Sequence, residues 1–556
     1  MALNARSSPL LGVSLLVGVA TLFATAFLKL YRARMLLIER RRKGLPVAPG
    51  HSFWFGHLLY LKGYLDRIPK DAHYQYAFGQ IGVDNFPESG AYYIDLWPMT
   101  GITLVIISPK IGAQVTQTIP QLNCNRPKLL SRFFLPITGG PSMFDVNEAA
   151  WKPWRSVFNK GFHSDHISSL VPEIANEILV YVGTLRAAAK KGEMVFLEPI
   201  TLRFMIDVIG KTILNSSLGS QKGYNALADG MLSQIQWWHN ANNELNPFAK
   251  LNFVRAFMQW KNSRQMNQYI GAELDKRYEE YKADVSSNSQ SLSVIDLVLR
   301  AYLSGPYKSK SPPAKLDDEF RDLAIRQIRL FVFAGHDSTA STICYIFHAL
   351  SKHAEVLARL RQEHDEVLGP DPSPEAAASK ISENPRLANN LPYTLAVIKE
   401  AMRLYPPAGA SRDGVVGVDL KDDAGNPCPT DHTILWILHP EVHQWKKYWV
   451  RGDEFLPERW MVPADHSLHP IPGTWRPFEV GPRNCIAQAM VMLELRVLLA
   501  CVARTLDIKP AFDEYDAKRG VKTDKLLVHG ERAYQIERGA SHPVGGYPCR
   551  ISLVQD

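Results

Sequence analysis

A chain of 556 residues, 46% hydrophobic and with a net charge of +8, is long enough to bury a substantial core and too polar to be a polytopic membrane protein. Its six cysteines, Cys124, Cys344, Cys428, Cys485, Cys501 and Cys549, stand far apart with no C-x-x-C pair. That excludes a disulfide-dense secreted module and a zinc ribbon and points to a reducing compartment, while the charge alone leaves nucleic acid, anionic lipid and acidic proteins open as partners.

At the amino terminus no charge interrupts Leu10 to Leu28, a run that as a helix reaches about 28 Å, close to the roughly 30 Å hydrocarbon core of a bilayer. Lys29, Arg32, Arg34, Arg40, Arg41, Arg42 and Lys43 follow, favouring a retained anchor with its C-terminal flank in the cytosol over a cleaved signal peptide. Much of the positive charge then reports topology. The expected organisation is a transmembrane anchor over residues 1–30, a basic stretch and stiff hinge over 31–50, where Pro46, Pro49 and Gly50 stop any helix, and one large domain over 51–556.

Within that domain the apolar pattern is mostly helical, over 317–352, 354–368 and 393–404, the last ending before Pro406 and Pro407. TLVIIS (103–108) and TILWIL (433–438) read as short strands, so the fold class is mainly α with a minor β-sheet. SSNSQS (286–291), SGPYKSKSPP (304–313) and GPDPSPEAA (369–377) read as surface loops. IGKT at 209–212 ends like a phosphate-binding loop, but Met205 stands where the first glycine would be, and the run FMIDVIGKTIL reads as a buried helix. His163 and His166 have no third ligand nearby and read as surface or packing histidines. With no G-x-G-x-x-G dinucleotide fingerprint, any electrons from NADPH must come through another protein.

The chemistry concentrates in FEVGPRNCIA (478–487). A cysteine there could be core filler, half of a redox pair, a zinc ligand or the thiolate of a metal cofactor. It stands just before a helix-forming run, where the helix dipole favours a thiolate. Arg483 can reach an anionic cofactor edge, Gly481 permits a tight turn close to the cofactor, and Phe478 can pack beside sulfur. A thiolate ligand to haem iron needs an ionised sulfur, donors that restrain its charge and shielding from water.

With three further motifs, this stretch resembles the cytochrome P-450 haem-thiolate monooxygenases of the microsomal type, and among them the fungal enzymes of secondary metabolism. The resemblance covers essentially everything from residue 44 onward. The loop fits F-x-x-G-x-R-x-C-x-G with Ala487 in place of the last glycine, which makes Cys485 the axial ligand of haem iron and Phe478, Gly481 and Arg483 cofactor-binding residues. KEAMRLYPP (399–407) and FLPERW (455–460) supply Glu400, Arg403 and Arg459, similar to the family's buried structural triad. AGHDST (334–339) looks like the distal helix, with Phe331, Ala334 and Gly335 as substrate-pocket residues. Asp337 would relay protons with Ser338 or Thr339; serine stands where threonine is commoner, which leaves open which hydroxyl acts. WKPWR (151–155) fits W-x-x-x-R, making Trp151 and Arg155 partners of a haem propionate in a helix expected to start near Pro153. Arg412 resembles another propionate contact.

The resemblance implies a single large haem domain behind one transmembrane helix, haem b as cofactor and O2 as co-substrate. It implies electrons from NADPH through an NADPH-cytochrome reductase docking near Cys485, where Arg476 and Arg483 are positive, with cytochrome b5 as a further donor. It further implies the cytosolic face of the endoplasmic reticulum membrane, no nucleic acid, and a lipophilic small-molecule substrate such as a polyketide or terpenoid. Fatty-acid or xenobiotic hydroxylation is the alternative within the class. A haem-thiolate isomerase or dehydratase usually lacks the acid–hydroxyl pair present here, and a non-catalytic haem carrier or sensor needs no reductase.

Overall fold

The apolar run and the basic stretch form one continuous helix, α1 (Pro9–Arg42), in the computed structural model, which describes residues 9–238, 252–283, 292–304, 313–522 and 526–554. Leu16, Leu22 and Phe23 are exposed, as a lipid-facing surface requires, and among the described residues this is the one helix long and apolar enough to cross a membrane. The basic part departs from the expected hinge. Arg34 is fully buried, ion-paired with Asp95 and donating to the Phe53 carbonyl at 2.8 Å, while Arg40 lies 4.4 Å over the Tyr93 ring. No residue between 29 and 42 breaks a helix, so the chain stays helical and its long cationic side chains find partners on the domain. Packing therefore begins well before the expected boundary at 50–51, and the chain turns only at Gly44, in the left-handed region at φ +74°.

A four-stranded sheet receives this helix. β1 (Ala91–Asp95) pairs antiparallel with β2 (Ile102–Ile106), which pairs in parallel with β4 (Ile434–Ile437), and β4 pairs antiparallel with β3 (Ala410–Asp413). The two runs expected as strands thus lie side by side, with Thr103 opposite Ile434. Every residue of β1 and β2 is buried, which explains why their apolar pattern is continuous rather than alternating.

The helical layer carries the rest of the core. It comprises α2 (Glu148–Asn159), α3 (Val171–Lys191), α4 (Leu197–Leu214), α5 (Asp318–Lys352), α6 (Ala354–Leu368), α7 (Pro374–Glu383), α8 (Pro392–Leu404) and α9 (Gln488–Val502). Asp317 caps α5 by accepting from the Phe320 N–H at 2.7 Å, and IGKT lies inside buried α4 as expected. Two expectations are corrected. α2 starts at Glu148, so Pro153 sits within it at the loss of one backbone bond. Part of the expected loop 369–377 is α7, because Ser373 caps it, Pro374 fits its first turn and Ala377 and Ala378 find a buried face. The expected loop at 286–291 lies outside the described residues, as does 304–313 apart from Ser304 and Pro313.

Glu400, Arg403 and Arg459 come together and are fully buried. The Glu400 carboxylate accepts from Arg403 Nε and Nη2 at 3.0 and 2.7 Å, from Arg459 Nε at 2.9 Å, from the Leu456 N–H at 3.0 Å and from Trp460 Nε1 at 3.0 Å. Arg403 also donates to the carbonyls of His443 and Gly452, which ties α8 to the segment leading into the cysteine loop.

Candidate active site

The loop before α9 is closed by a bond from the Cys485 N–H to the Phe478 carbonyl at 2.8 Å. Gly481 adopts φ +88°, and a Cβ there would stand 1.9 Å from the Thr116 carbonyl oxygen. The tight turn expected at this glycine is present, and the close approach of the Thr116 backbone by itself already requires glycine there. Phe478 is buried beside Trp475, with ring centroids 6.1 Å apart. Five cysteines are buried and Cys485 alone is exposed, although protein surrounds it closely enough that burial pushes its thiol up, against the opposing pull of the Ala487 N–H and Arg155. The expected backbone N–H favouring a thiolate is there, from Ala487 just ahead of α9, but burial outweighs it. A sulfur so placed ionises when a metal cation binds beside it.

α5 is buried from Ile328 to Leu350 except at one stripe, where Ala334 is exposed and Gly335 and Ser338 are partly so. Thr339 and Ile343 face a small pocket shared with Glu494, Leu495 and Leu498 of α9. Ala334 and Ser338 do not line that pocket. Ser338 Oγ lies on the open stripe and makes only a long 3.4 Å bond to the Ala334 carbonyl, whereas Thr339 Oγ1 is buried and without a partner. At Gly335 a Cβ would come within 2.4 Å of the Ile209 side chain on α4, so a larger residue there would have to displace that side chain. Phe331 is not on the open stripe. It packs between Phe158 and Phe162, at 4.8 and 5.8 Å, while Phe333, which sequence reasoning missed, meets Phe134 and Trp238 at 6.0 and 5.6 Å. No periodic signal marks Phe333, because the segments that cover it, the helix carrying Phe134 and the turn carrying Trp238, come from distant sequence.

Beside the cysteine loop three arginines converge. Arg412 donates from Nε to the Asn123 carbonyl at 2.8 Å, Arg483 from Nη1 to that of Met143 at 3.2 Å and from Nη2 to those of Cys124, at 3.1 Å, and Val146, and Arg126 from Nη1 to that of Ser411 at 3.4 Å. Arg412 Nη2, Arg483 Nε and Arg126 Nε are buried without a partner, and among the described residues none of the three makes an ion pair. Burial, Arg412 and Arg483 together push the Arg126 guanidinium well below its usual range. Glu479, the carboxylate nearby, is committed to Arg476 and His439. Buried cations with unused donors call for an anion, and the two carboxylates of haem match that demand. Arg483 also stacks 4.4 Å over Trp151. Arg155 lies close enough to act on both Arg483 and Cys485, and it donates to the Asn484 carbonyl and Oδ1 at 2.8 and 2.9 Å, bracing the loop next to Cys485. Arg476 and Arg483 are buried, so neither can present charge to a docking reductase as expected.

Arg126 was not singled out from the sequence, where an isolated arginine in a loop carries no signal. Replacing Arg126 by glutamine keeps much of its volume and removes its charge. The expected result is faster haem loss, by about tenfold for a bond worth some 1.5 kcal/mol, read by transfer of haem to an excess acceptor protein.

The Cytochrome P450 family model matches residues 92–535. The chain is 36% identical to cytochrome P450 monooxygenase polC of Polytolypa hystricis over 547 residues, covering 98% of this chain and 95% of that protein. It is 30% identical to cytochrome P450 monooxygenase acrF of Aspergillus aculeatus over 509 residues, 87% of this chain and 98% of that protein. Cytochrome P450 monooxygenase ptmG of Penicillium ochrochloron is 24% identical over 527 residues, 92% of this chain and 91% of that protein.

Proposed function

The chain belongs to the cytochrome P-450 family, and from that premise we propose that it is a membrane-anchored haem-thiolate monooxygenase oxidising a lipophilic small molecule, a polyketide or terpenoid of secondary metabolism, on the cytosolic face of the endoplasmic reticulum. The observations that carry this reading are the exposed cysteine in the loop before α9, the open stripe of α5 at Ala334 and Ser338, and the unneutralised arginines beside the cysteine loop. When bound, haem b supplies the redox chemistry: O2 takes two electrons from NADPH, delivered by a reductase with cytochrome b5 as a further donor, and one oxygen atom enters the substrate while the other leaves as water.

The chain's own residues do the rest. Cys485 would hold the iron, and Arg126, Arg412 and Arg483, with Trp151 behind, would hold the propionates. Phe333, Phe134 and Trp238 exclude water and present aromatic surface to an apolar substrate. A cleft of about 230 Å³ lined by Leu61, Phe78, Met99, Leu130 and Trp436 contains none of Ala334, Ser338 or Cys485, so it is not the reaction site. It lies beside the sheet that receives α1, and its apolar lining supports delivery of a lipophilic substrate from the membrane side. The test is incubation of membranes containing the protein and a reductase with NADPH and isotopically heavy O2. Incorporation of one heavy oxygen into a product is the expected result, and turnover without NADPH would instead establish an isomerase or dehydratase.

Ser338, on the open stripe of α5, is the hydroxyl we assign to proton delivery, and Thr339, facing α9, is a packing residue. Ser338→Ala should keep NADPH consumption and lower product per NADPH by about tenfold, whereas Thr339→Ala should leave that ratio unchanged. Stoichiometry of NADPH, hydrogen peroxide and product checks both.

A further inference from the structure

Asp337 is buried, and both of its carboxylate oxygens are already engaged. Oδ2 accepts from the Ala540 N–H at 2.8 Å, and Oδ1 makes an ion pair with His542 Nε2 at 3.1 Å, whose N–H has no aligned acceptor in this arrangement, so a small turn of the ring brings it onto Oδ1. Ala540 and His542 belong to the strand Ala540–Pro543, which pairs antiparallel with Gln535–Arg538 and is fastened to α5 a second time by Ser341 Oγ donating to the Ser541 carbonyl at 2.5 Å. On its other side the imidazole meets a second buried carboxylate: His542 Nδ1 is 2.6 Å from Glu198 Oε1, in the first turn of α4. Three elements distant in sequence thus bring Glu198, His542 and Asp337 into one buried row.

A carboxylate that only accepts carries no proton to give. Asp337, as placed, must first receive one, and among the described groups within hydrogen-bond distance the dissociable proton is on His542 Nε2. We propose that His542 supplies Asp337 with the proton that Asp337 passes toward Ser338, and that Glu198 is the positioning residue that fixes the tautomer of the ring. In this step the Nε2–H bond breaks with its electron pair left on nitrogen, an O–H bond forms on Asp337 Oδ1, and an imidazolium–carboxylate pair becomes a neutral pair. The Nδ1–H stays on Glu198, so the neutral ring has its free lone pair at Nε2, where it takes up the next proton from water. Burial opposes charge on the ring, but Asp337 and Glu198 outweigh it and push His542 up to about 10, so the donor is loaded at neutral pH. The other titratable groups near the row are His336, driven down by burial, and Cys344 and Tyr345, driven up by burial.

The inference rests on reading Asp337 with Ser338 as the acid–hydroxyl pair, and the experiment separates the two. In His542→Gln, product formation should fall by about 100-fold while NADPH oxidation stays within about twofold. In Glu198→Gln, the alkaline limb of the product-per-NADPH profile should move to lower pH, because one of the two charges raising His542 is gone. An independent readout is stability: a raised folded value means the imidazolium stabilises fully below about pH 6.5 and loses that stabilisation as pH rises through about 10, so the unfolding midpoint of the wild type should fall over that window relative to His542→Gln. Full coupling in His542→Gln with uncoupling in Asp337→Asn would overturn the donor role and leave the pair standing. Full coupling in Asp337→Asn would overturn both. Should His542→Gln fail to fold, the Glu198→Gln profile decides, and an unmoved alkaline limb overturns the proposal.

Discussion

Cys485→Ser is expected to abolish product formation while leaving the protein folded. The loop that presents residue 485 is held by backbone and by neighbours: its own N–H on the Phe478 carbonyl, Gly481 against Thr116, and Arg155 on Asn484. None of these uses sulfur, so a hydroxyl in its place keeps the geometry. It does not keep the chemistry, because a serine hydroxyl is far harder to ionise than a thiol and is a poor ligand for haem iron. No other cysteine can substitute, since the remaining five are buried elsewhere. Far-ultraviolet circular dichroism should be unchanged, and the carbon monoxide complex of the reduced protein should lose the absorbance typical of a thiolate ligand. Metabolites from cells carrying wild type or variant then identify the reaction. A compound lighter by one oxygen than the lost product marks hydroxylation or epoxidation, and one differing by two hydrogens marks desaturation or ring closure. Full turnover in the variant would overturn the haem-thiolate assignment.

What the sequence made legible was local. The helices at 317–352, 354–368 and 393–404 and the strands at 103–108 and 433–438 appear almost where their periodicity places them, because each is long or β-branched enough for the apolar pattern to report its own structure. The cysteine loop and the Glu400, Arg403 and Arg459 network were legible as spaced motifs. What was not legible depends on which distant segment lies opposite. Phe331 and Phe333 stand two residues apart on one helix, and only the tertiary fold shows that one packs against Phe158 and Phe162 and the other against Phe134 and Trp238. Ser338 and Thr339 differ in the same way, and so do Arg155 and Arg126: the motif residue braces a loop while the unmarked one has unused donors. The basic residues after the apolar run read as a topology signal, because such charge flanks a membrane span, and only the fold shows that Asp95 makes Arg34 a buried packing point.

Glu400→Gln should be the most destabilising of the conservative changes. One carboxylate there balances two guanidinium groups, all fully buried, and accepts five hydrogen bonds. Glutamine keeps the shape but replaces one accepting oxygen with a donor and leaves Arg403 and Arg459 facing each other with no counter-charge. Removing one member of a buried ion pair costs about 3–5 kcal/mol, a large part of the roughly 5–15 kcal/mol that holds a domain folded. The internal control is Asp453→Asn, which breaks an exposed pair with Lys446 and should change stability by less than about 1 kcal/mol. Urea unfolding midpoints of the haem-loaded proteins compare the two, and equal midpoints would show that the network does not hold the fold. The damage should also reach the cysteine loop, which is docked on the same frame: Trp475 Nε1 donates to the Lys399 carbonyl at 3.0 Å, and the Arg476 N–H donates to His443, whose carbonyl Arg403 holds. Haem dissociation should therefore quicken in Glu400→Gln even below the unfolding transition, because the residue that releases it, Cys485, sits on a loop whose position depends on a carboxylate that never touches the cofactor.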